Sequence, residues 1–517
     1  MEVDEDAHAP EEVALPLRSP RRPRSPQRSR SSTPIPQQAS SSPHVSLVAA
    51  AELHENQRWK PTSLHPGPAF KTIEWSADGT TVIASTASKS ILSYVLPTDL
   101  LEPQKDDADN NDCDSNKHAS SPYTPRHHIL TCHGRLRFGI TPSALAPAPY
   151  FSLAEPWSQS VLVGFRDRPI QLYPLFPEGG DSSDDDSSGE DDVYTRPTAP
   201  LASYSLVKHE TEAYLPPMAL LWSAPGTHFV VGTKSLLALF DASRTGNDPP
   251  LLRVPTVMPT GGGFSLGLRG TVSALAAGTG VSQNLTAAGT WTRGIGLYDL
   301  TRAGTCTAHW KVSADSGDAA GDGVVQTLWS PCGRYLVVNE RKSSGLLVYD
   351  IRGSGKLLCT LAGRSARVSQ PIRATVYESS HANGFELWSG TDHGAGVLYE
   401  GVGTRDGVVD PTWQWQAHGR SMVGGAAMHA SGSVLATCAS SPPVPDDDEG
   451  SDEDSDDDDD DRDVESNESD EDSADDSETS SADSNVPSRA ARPRTTVSDP
   501  SIKIWSLVPL QDYDGGS

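Results

Sequence analysis

Basic side chains recur along the chain in short polar stretches between apolar ones, and two tryptophans accompany them. Several cations on one surface can bind the phosphate backbone of a nucleic acid, because each neutralised phosphate releases condensed counterions. An exposed aromatic ring can also stack on an unpaired base, for about 1–3 kcal/mol. The residues that we predict to contact RNA are Lys89, Arg166, Arg168, Lys234, Arg269, Trp291, Arg293, Arg341, Lys342, Arg364, Arg367, Trp388 and His393. Taken singly, each is equally compatible with a short exposed turn that carries charge for solubility.

Signals for catalysis or metal binding are weak. The stretch HHILTCH (127–133) brings three histidines and a cysteine together, which are zinc-type donors, but no second cluster completes a site. The stretch GGGFSLGLRG (261–270) matches a dinucleotide-binding glycine pattern only loosely, and no helix is predicted after it. No nucleophile with an ordered base and no paired carboxylates stand out. We therefore expect no enzyme, no cofactor and no metal.

The charge of the chain is concentrated in two segments. Its 517 residues include 41 Lys+Arg and 69 Asp+Glu, for a formal net charge of −28. Residues 177–198 hold eight acids and one Arg, and residues 442–497 hold 23 acids and four Arg. Such blocks of like charge stay solvated. The sequence therefore predicts a nearly neutral body with two acidic insertions.

Residues 1–44 are predicted to be a disordered tail, because this Ser/Pro/Arg-rich stretch has no apolar periodicity. Its basic run at 18–30 also suits a nuclear-import or RNA-contacting arm. Proline follows four hydroxyl residues in the tail, and an acid lies three positions after four serines of the second insertion; phosphate there would add about −1.5 to −2 charges each. These candidate phosphorylation sites are Ser19, Ser25, Thr33, Ser42, Ser451, Ser455, Ser469 and Ser473.

The remaining composition bears on the compartment. No apolar run approaches the roughly 18 residues of a membrane helix, and the acidic, then Ser/Pro/Arg-rich start does not resemble a signal peptide. The six cysteines are scattered without a CxxC pair, which favours free thiols in a reducing compartment. We therefore expect neither a secreted nor a membrane protein.

A repeated pattern gives the fold. An apolar strand ends in Trp or its equivalent, a Gly turn follows, then a small-residue strand, a short turn, and a strand that ends in an aromatic. The copies lie at 70–96, 158–176, 218–241, 285–299, 324–350, 372–400 and 422–440, the last continued by 501–507. Short strands at this period indicate an all-β, seven-bladed propeller.

The predicted propeller runs from 45 to 508, with insertions at 101–130, 177–198 and 442–497. Residues 45–56 are suited to closing the last blade as its outer strand, although their Ala and Glu content also permits a helix. The turns between the second and third strands and the connections between blades emerge on one face of a propeller, and the predicted cations fall in them. The insertion 442–497 interrupts the last blade on that face. It is a competitor for RNA, a spacer, or a docking site for basic proteins.

Several segments resemble a known family. Phe240-Asp241, Tyr298-Asp299, Tyr349-Asp350 and Ile504-Trp505 stand where WD40 repeats carry Trp-Asp. The more specific segments are WSADG (75–79), RDRPIQLY (166–173), HETEAYLPPMALLWS (209–223), GTWTRGIGLYD (289–299), RKSSGLLVYDIR (341–352), LWSGTDHGAGV (387–397) and AAMHASGSVLATCAS (426–440). Together they resemble the telomerase Cajal body protein family, whose fungal relatives include a splicing-associated member.

The resemblance implies a non-enzymatic WD40 propeller that binds small box H/ACA-type RNAs and telomerase RNA, promotes their localisation and assists assembly of the telomerase RNP. It also implies a monomeric scaffold among RNP proteins in the nucleoplasm or a Cajal-type body. Two alternatives stay open: a splicing-associated nuclear scaffold, and a general propeller adaptor for basic proteins.

Overall fold

The computed structural model describes nine stretches of the chain. They are residues 44–52, 69–102, 127–177, 198–260, 264–312, 319–353, 355–379, 384–440 and 499–508. The eight predicted phosphorylation sites and most of the predicted tail and insertions lie outside these residues.

Almost all regular structure in the described residues is β-strand. The strands of the first half are β1 (Ser46–Glu52), β2 (Phe70–Trp75), β3 (Thr81–Thr86), β4 (Ser90–Val95), β5 (His128–Ile129), β6 (Gly134–Arg137), β7 (Ala144–Pro147), β8 (Ser160–Gly164), β9 (Ile170–Pro174), β10 (Ala202–Tyr204), β11 (Ala219–Ser223), β12 (His228–Thr233), β13 (Leu236–Asp241), β14 (Leu252–Pro255), β15 (Val257–Thr260) and β16 (Phe264–Gly267).

The second half contains the other strands and most of the short helices. The strands are β17 (Val272–Ala277), β18 (Thr286–Thr290), β19 (Gly294–Asp299), β20 (Thr305–Lys311), β21 (Val324–Trp329), β22 (Tyr335–Glu340), β23 (Leu346–Asp350), β24 (Lys356–Leu361), β25 (Ala374–Glu378), β26 (Phe385–Gly390), β27 (Ala395–Val402), β28 (Gly407–Val409), β29 (Trp413–Gln416), β30 (Val423–Met428), β31 (Val434–Ala439) and β32 (Ser501–Ser506). Short 3-10 helices lie at Pro156–Ser158, Gly280–Ser282, Leu300–Arg302 and Ile351–Gly353. No described helix is long and apolar enough to cross a membrane.

These strands form a seven-bladed β-propeller, as the repeat predicts. Blade 1 contains β2, β3, β4 and β6; blade 2, β7 to β10; blade 3, β11 to β14; and blade 4, β17 to β20. Blade 5 contains β21 to β24, and blade 6 contains β25, β26, β27 and β29. Blade 7 contains β30, β31, β32 and β1. The strand from the beginning of the propeller thus completes the blade built from its end.

This closure shows that the described part of residues 45–56 is a strand rather than a helix, over Ser46–Glu52. Strand β1 pairs antiparallel with β32, with Leu47 opposite Trp505 and Ala51 opposite Ile502. The small residues that also permit a helix are needed here, because Ala49 and Ala51 are buried in the core shared with blade 1. Pairing along β32 satisfies backbone groups that would otherwise form an open sheet edge.

The second strands explain why the repeat favours small and β-branched residues. All residues of β3, β8, β18 and β31 are buried. A propeller sheet packs both of its faces against neighbouring blades, so neither face of these strands meets solvent and their polar residues are limited to small hydroxyl side chains. Larger side chains fill the wedges between blades: Phe229 and Phe240 stack at 5.2 Å, and Trp222 meets Phe229 edge-on at 5.6 Å.

Three additions lie outside the simple four-strand plan. Residues 128–129, the end of the predicted 101–130 insertion, form β5 and pair in parallel with β1. Strand β28 pairs in parallel with β24 at the outer edge of blade 5. The described part of the glycine-rich stretch, residues 264–270, contains β16, which pairs with β15 between blades 3 and 4.

Candidate nucleic-acid interface

One face of the propeller collects the turns that carry most of the predicted RNA contacts. Strands alternate in direction within each blade, so the turn between its second and third strands lies on the same side as the connection to the next blade. We call this side the connection face. The turns hold Lys89, Arg166, Arg168, Lys234, Trp291, Arg293, Arg341, Lys342 and His393, and the blade connections hold Arg269, Arg364 and Arg367.

Local turn chemistry sets the direction of two of these cations. The hydroxyls of Thr86 and Thr290 each accept the backbone N–H four residues later, at 3.2 and 2.9 Å. The last residue of each turn, Lys89 or Arg293, has φ of 64°. This left-handed residue after a tight turn is the usual ending of a three-residue hairpin loop. The turn after Thr391 is built in the same way, with a glycine in the left-handed position.

An aromatic and a guanidinium group lie side by side between blades 4 and 5. The guanidinium carbon of Arg341 lies 5.9 Å from the ring centroid of Trp291, within the range of a cation–π contact. Trp291 is 36% exposed, and the Arg341 side chain is 34% exposed. The Arg341 guanidinium also lies 3.4 Å from the Asp322 carboxylate and donates to the Asp322 carbonyl. We call Trp291 and Arg341 the platform, because a flat, partly exposed surface formed by an indole and a guanidinium group can accept a nucleobase.

The neighbouring Arg293 has a different role. Its guanidinium donates to both oxygens of Glu340, at 2.7 and 3.1 Å, and the Gly321 N–H donates to the same carboxylate at 3.0 Å. The Glu340 side chain is only 1% exposed. The hydrogen bonds to Glu340 raise the pKa of Arg293. This arginine therefore ties blade 4 to blade 5, and its charge is largely neutralised by the protein itself.

Two predicted contacts are not on the surface. Arg364 and Trp388 are 1% and 2% exposed, so neither side chain is presented to an RNA. Arg364 donates to the Asn339 side chain at 3.0 Å and to the Ile372 carbonyl at 2.6 Å, and burial lowers its pKa to about 10. Trp388 packs edge-on against Trp415 at 5.8 Å. The structure therefore removes both residues from the predicted interface.

The other predicted cations remain on the connection face. Those classed as exposed are Lys89, Arg166, Lys234, Arg269, Arg367 and His393. Several contact the protein: Lys89 donates to the Gly139 carbonyl at 3.2 Å, Arg168 pairs with Asp167 at 3.2 Å, and His393 lies 2.9 Å from an Asp392 oxygen. The face is thus a mixture of cations and local acids rather than an uninterrupted basic ring.

Among the described residues of the blade connections, sequence reasoning missed two exposed cations. Arg420 lies in the connection from blade 6 to blade 7, and Lys208 lies in the connection from blade 2 to blade 3. The rule that selects Arg269 and Arg367, a basic residue between blades, would have found both.

A buried histidine anchors the last blade at the same face. His418 is fully buried; its Nε2 lies 2.8 Å from the Thr437 hydroxyl and its Nδ1 lies 3.2 Å from the Ser501 hydroxyl. The indole N–H of Trp505 donates to the same Thr437 hydroxyl at 2.8 Å. Burial lowers the pKa of His418 to about 3, so the ring is neutral at pH 7.

This network continues into the residue at which the described chain resumes after the long acidic insertion. Asp499 accepts from the Ser501 hydroxyl at 2.6 Å and from the Lys503 ammonium at 2.8 Å. Its backbone N–H donates to the Ser421 hydroxyl at 2.8 Å. The two strands that flank residues 442–497, β31 and β32, are therefore held together at the end where the insertion is attached.

A central channel runs between the first strands of the blades. It encloses a cavity of about 310 Å³ and contains Glu74 from blade 1 and Arg373 from the start of blade 6. Their charged groups lie 3.5 Å apart. Burial raises the pKa of the Glu74 carboxyl, and Arg373 partly opposes that shift. The channel thus carries a charge pair that bridges two blades on either side of blade 7.

The histidine-rich stretch 127–133 does not form a metal-binding group within the described part of the chain. His133 uses its Nδ1 to accept the Val95 N–H at 3.2 Å. No group of three or more His, Cys, Asp or Glu residues among those described is arranged to hold a metal ion. The five described cysteines are free thiols: Cys132, Cys306, Cys332, Cys359 and Cys438.

Comparison with known proteins finds distant relatives. No protein-family model matches the chain. Guanine nucleotide-binding protein negative regulator 1 of Schizosaccharomyces pombe is 24% identical over 306 residues, which is 59% of this chain and 64% of that protein. Telomerase Cajal body protein 1 of Homo sapiens and that of Bos taurus are each 23% identical over 394 residues, or 76% of this chain and 60% and 61% of theirs. The chain spans about three fifths of the length of the curated relatives it matches. The structure shows a seven-bladed β-propeller, and the chain is distantly similar to these proteins.

Proposed function

We propose that this chain is a non-enzymatic RNA-binding scaffold. It binds small nuclear-body RNAs of the box H/ACA type and telomerase RNA, and promotes their localisation and RNP assembly in the nucleus. The observation that carries the proposal is the similarity to telomerase Cajal body protein 1 over 76% of this chain. The partners are then RNA and RNP proteins, with the propeller as a single copy in the complex.

The connection face supports this proposal physically. The platform of Trp291 and Arg341 offers one stacking position for an unpaired base. The exposed cations around it, including Lys234, Arg269 and Arg367, offer phosphate contacts that need no particular base sequence. RNA recognition of this kind uses single-stranded loops, whose bases are free to leave the helical stack.

Crosslinking in cells, followed by sequencing of the bound RNA, tests the proposal directly. Enrichment of box H/ACA-type RNAs and telomerase RNA over spliceosomal RNAs is the expected result. Enrichment of spliceosomal RNAs would replace it with the splicing-associated alternative. Crosslinking no stronger than that of an unrelated propeller would overturn RNA binding altogether.

A second candidate function is a propeller adaptor that binds protein. It is favoured by the similarity to guanine nucleotide-binding protein negative regulator 1, whose name describes control of a protein. This function predicts stable protein partners in a purified complex that survive ribonuclease treatment, together with no enriched RNA.

A further inference from the structure

A rigid apolar loop lies on the opposite face of the propeller. The residues 153–157, LAEPW, connect the first two strands of blade 2, and all five are exposed. Trp157 is 71% exposed and Leu153 is 37% exposed. A large indole presented to water is unusual on a solvated surface, whereas tryptophan is enriched among the residues that dominate protein interfaces.

The loop is held in one conformation by hydrogen bonds at both ends. The Leu153 N–H donates to the Asp78 carboxylate of blade 1 at 2.7 Å. The buried Ser158 hydroxyl accepts the Ser152 N–H at 2.9 Å and donates to the Glu155 carbonyl at 2.7 Å. Since the loop is already ordered, a partner would lose little conformational freedom in docking on it.

The indole is also fixed in place. Its N–H donates to the Glu155 carboxylate at 2.8 Å, and its ring stacks on Tyr150 at 6.0 Å between centroids. Tyr150 in turn meets Trp222 of blade 3 edge-on at 5.8 Å. The exposed Trp157 is therefore the outer end of an aromatic row that begins in the core.

The surroundings of the loop are acidic. Glu155 belongs to the loop, and the exposed Asp78 of blade 1 accepts the Leu153 N–H. The described residues of the connections on this side of these two blades include no lysine or arginine. An apolar anchor within a negative field selects a partner that combines an apolar side chain with positive charge, and a cation is further favoured against the indole face.

We propose that the 153–157 loop docks a basic protein segment, whose apolar side chain packs on Trp157 and Leu153 while its lysines or arginines face Glu155 and Asp78. The loop lies on the face opposite the platform. Docking there leaves the connection face free, so the propeller can hold a protein and an RNA at the same time. This site does not depend on RNA binding.

The test uses the full chain and an immobilised library of five-residue motifs embedded in neutral peptides. Each motif has Lys or Arg on both sides of one varied position, occupied by Leu, Met, Phe, Trp or Ala. Wild-type protein is expected to bind the large apolar members at least tenfold more tightly than the alanine member, and to lose them when the basic positions are changed to Glu. Trp157→Ala is expected to weaken binding at least tenfold, and Glu155→Gln a few fold.

Trp291→Ala is the matched control, because it removes an exposed tryptophan from the other face. It is expected to bind the peptides like wild type, whereas Trp157→Ala is expected to bind RNA like wild type. The docking proposal and the RNA-binding proposal can therefore be contradicted separately. Equal peptide binding by wild type and Trp157→Ala, or no dependence on peptide charge, would overturn the docking site.

Other occupants are outcomes of the same experiment. A peptide of residues 13–30 is included in the library; if it alone binds, the occupant is this chain's own basic segment and the partner proposal is wrong. Sedimentation velocity measures self-association. A wild-type dimer that Trp157→Ala converts to monomer would assign the loop to a second copy of this chain, which also overturns the proposal.

Discussion

At the scale of residues, exposure and charge pairing separate side chains that look equivalent in sequence. Arg293 and Arg341 occupy corresponding turns of neighbouring blades, yet Arg293 is bound to a buried carboxylate and Arg341 lies against an exposed indole. We therefore expect their substitutions to have different consequences.

Substitutions in the platform are expected to affect RNA affinity and leave stability almost unchanged. Trp291→Ala removes a stacking surface worth about 1–3 kcal/mol per base, and Arg341→Ala removes one positive charge. The measurement is an RNA titration at fixed salt, with thermal unfolding as the control for folding. RNA binding by the double variant equal to that of wild type would eliminate the platform as a contact.

Substitution of Arg293 is expected to affect stability instead. Arg293→Ala leaves the Glu340 carboxylate buried without its partner, which costs about 3 kcal/mol of unfolding free energy. Denaturant unfolding measures the loss. Glu340→Gln in the same chain is the matched variant, because it removes the buried charge and is expected to recover part of the stability. No recovery would show that packing, not charge, controls this position.

The buried His418 predicts a dependence of stability on pH. Its pKa is about 3 in the folded protein against about 6.5 in an unfolded chain. Below pH 6.5 the folded state therefore binds fewer protons at His418 than the unfolded state does. The stability contributed by the neutral, buried His418 is complete above pH 6.5 and is lost as pH falls toward 3. His418→Gln is expected to be less stable at pH 7 and to lose less stability between pH 6.5 and 4. Parallel unfolding curves of the two proteins across that range would contradict it.

At the scale of elements, the closing strand β1 decides whether seven sheets make a ring. Its residues alternate between the packed core and a less buried face, and its partner β32 is more than 400 positions away in the sequence. Such non-local pairing cannot form before the rest of the propeller brings the two strands together.

Disrupting β1 is therefore expected to destabilise the whole propeller. Ala49→Asp places a carboxylate at a fully buried position and is expected to cost several kcal/mol, since a buried charge without a partner is strongly unfavourable. Ala50→Asp, on the less buried face of the same strand, is the control and is expected to cost much less. Thermal unfolding compares the two, and equal losses would contradict the assigned register.

At the scale of the whole molecule, the two faces of the propeller have different chemistry. The connection face carries the platform and the exposed cations that we predict to contact RNA, while the opposite face of blades 1 and 2 carries the apolar 153–157 loop and exposed acids. If the connection face binds RNA as proposed, its charges are expected to determine how RNA affinity responds to salt.

Five phosphate contacts to single-stranded RNA give a log–log slope of affinity against salt of about −3.5. Lys89, Arg166, Lys234, Arg269 and Arg367 are the exposed predicted cations from which such contacts are expected. Changing any two of them to Gln is expected to reduce the slope by about 1.4. A slope near zero in wild type would show that phosphates are not bound here.

Closure of the ring also predicts the result of limited proteolysis. We expect cleavage within the predicted insertions 101–130, 177–198 and 442–497, and fragments that remain associated, because each blade is packed between two others. Gel filtration after digestion measures this association. Release of separately folded fragments would contradict a single propeller.

Local sequence was sufficient for the repeat and the number of blades, because apolar alternation and turn residues are properties of neighbouring positions. It also placed Trp291 and Arg341 in corresponding turns of neighbouring blades. Tertiary structure alone decided which predicted contacts are exposed. Trp388 is covered by Trp415, and Arg364 by Asn339 and Ile372, and Arg293 meets Glu340 from the next blade. Burial and pairing depend on contacts between strands and blades, which the spacing of residue types within one repeat does not encode.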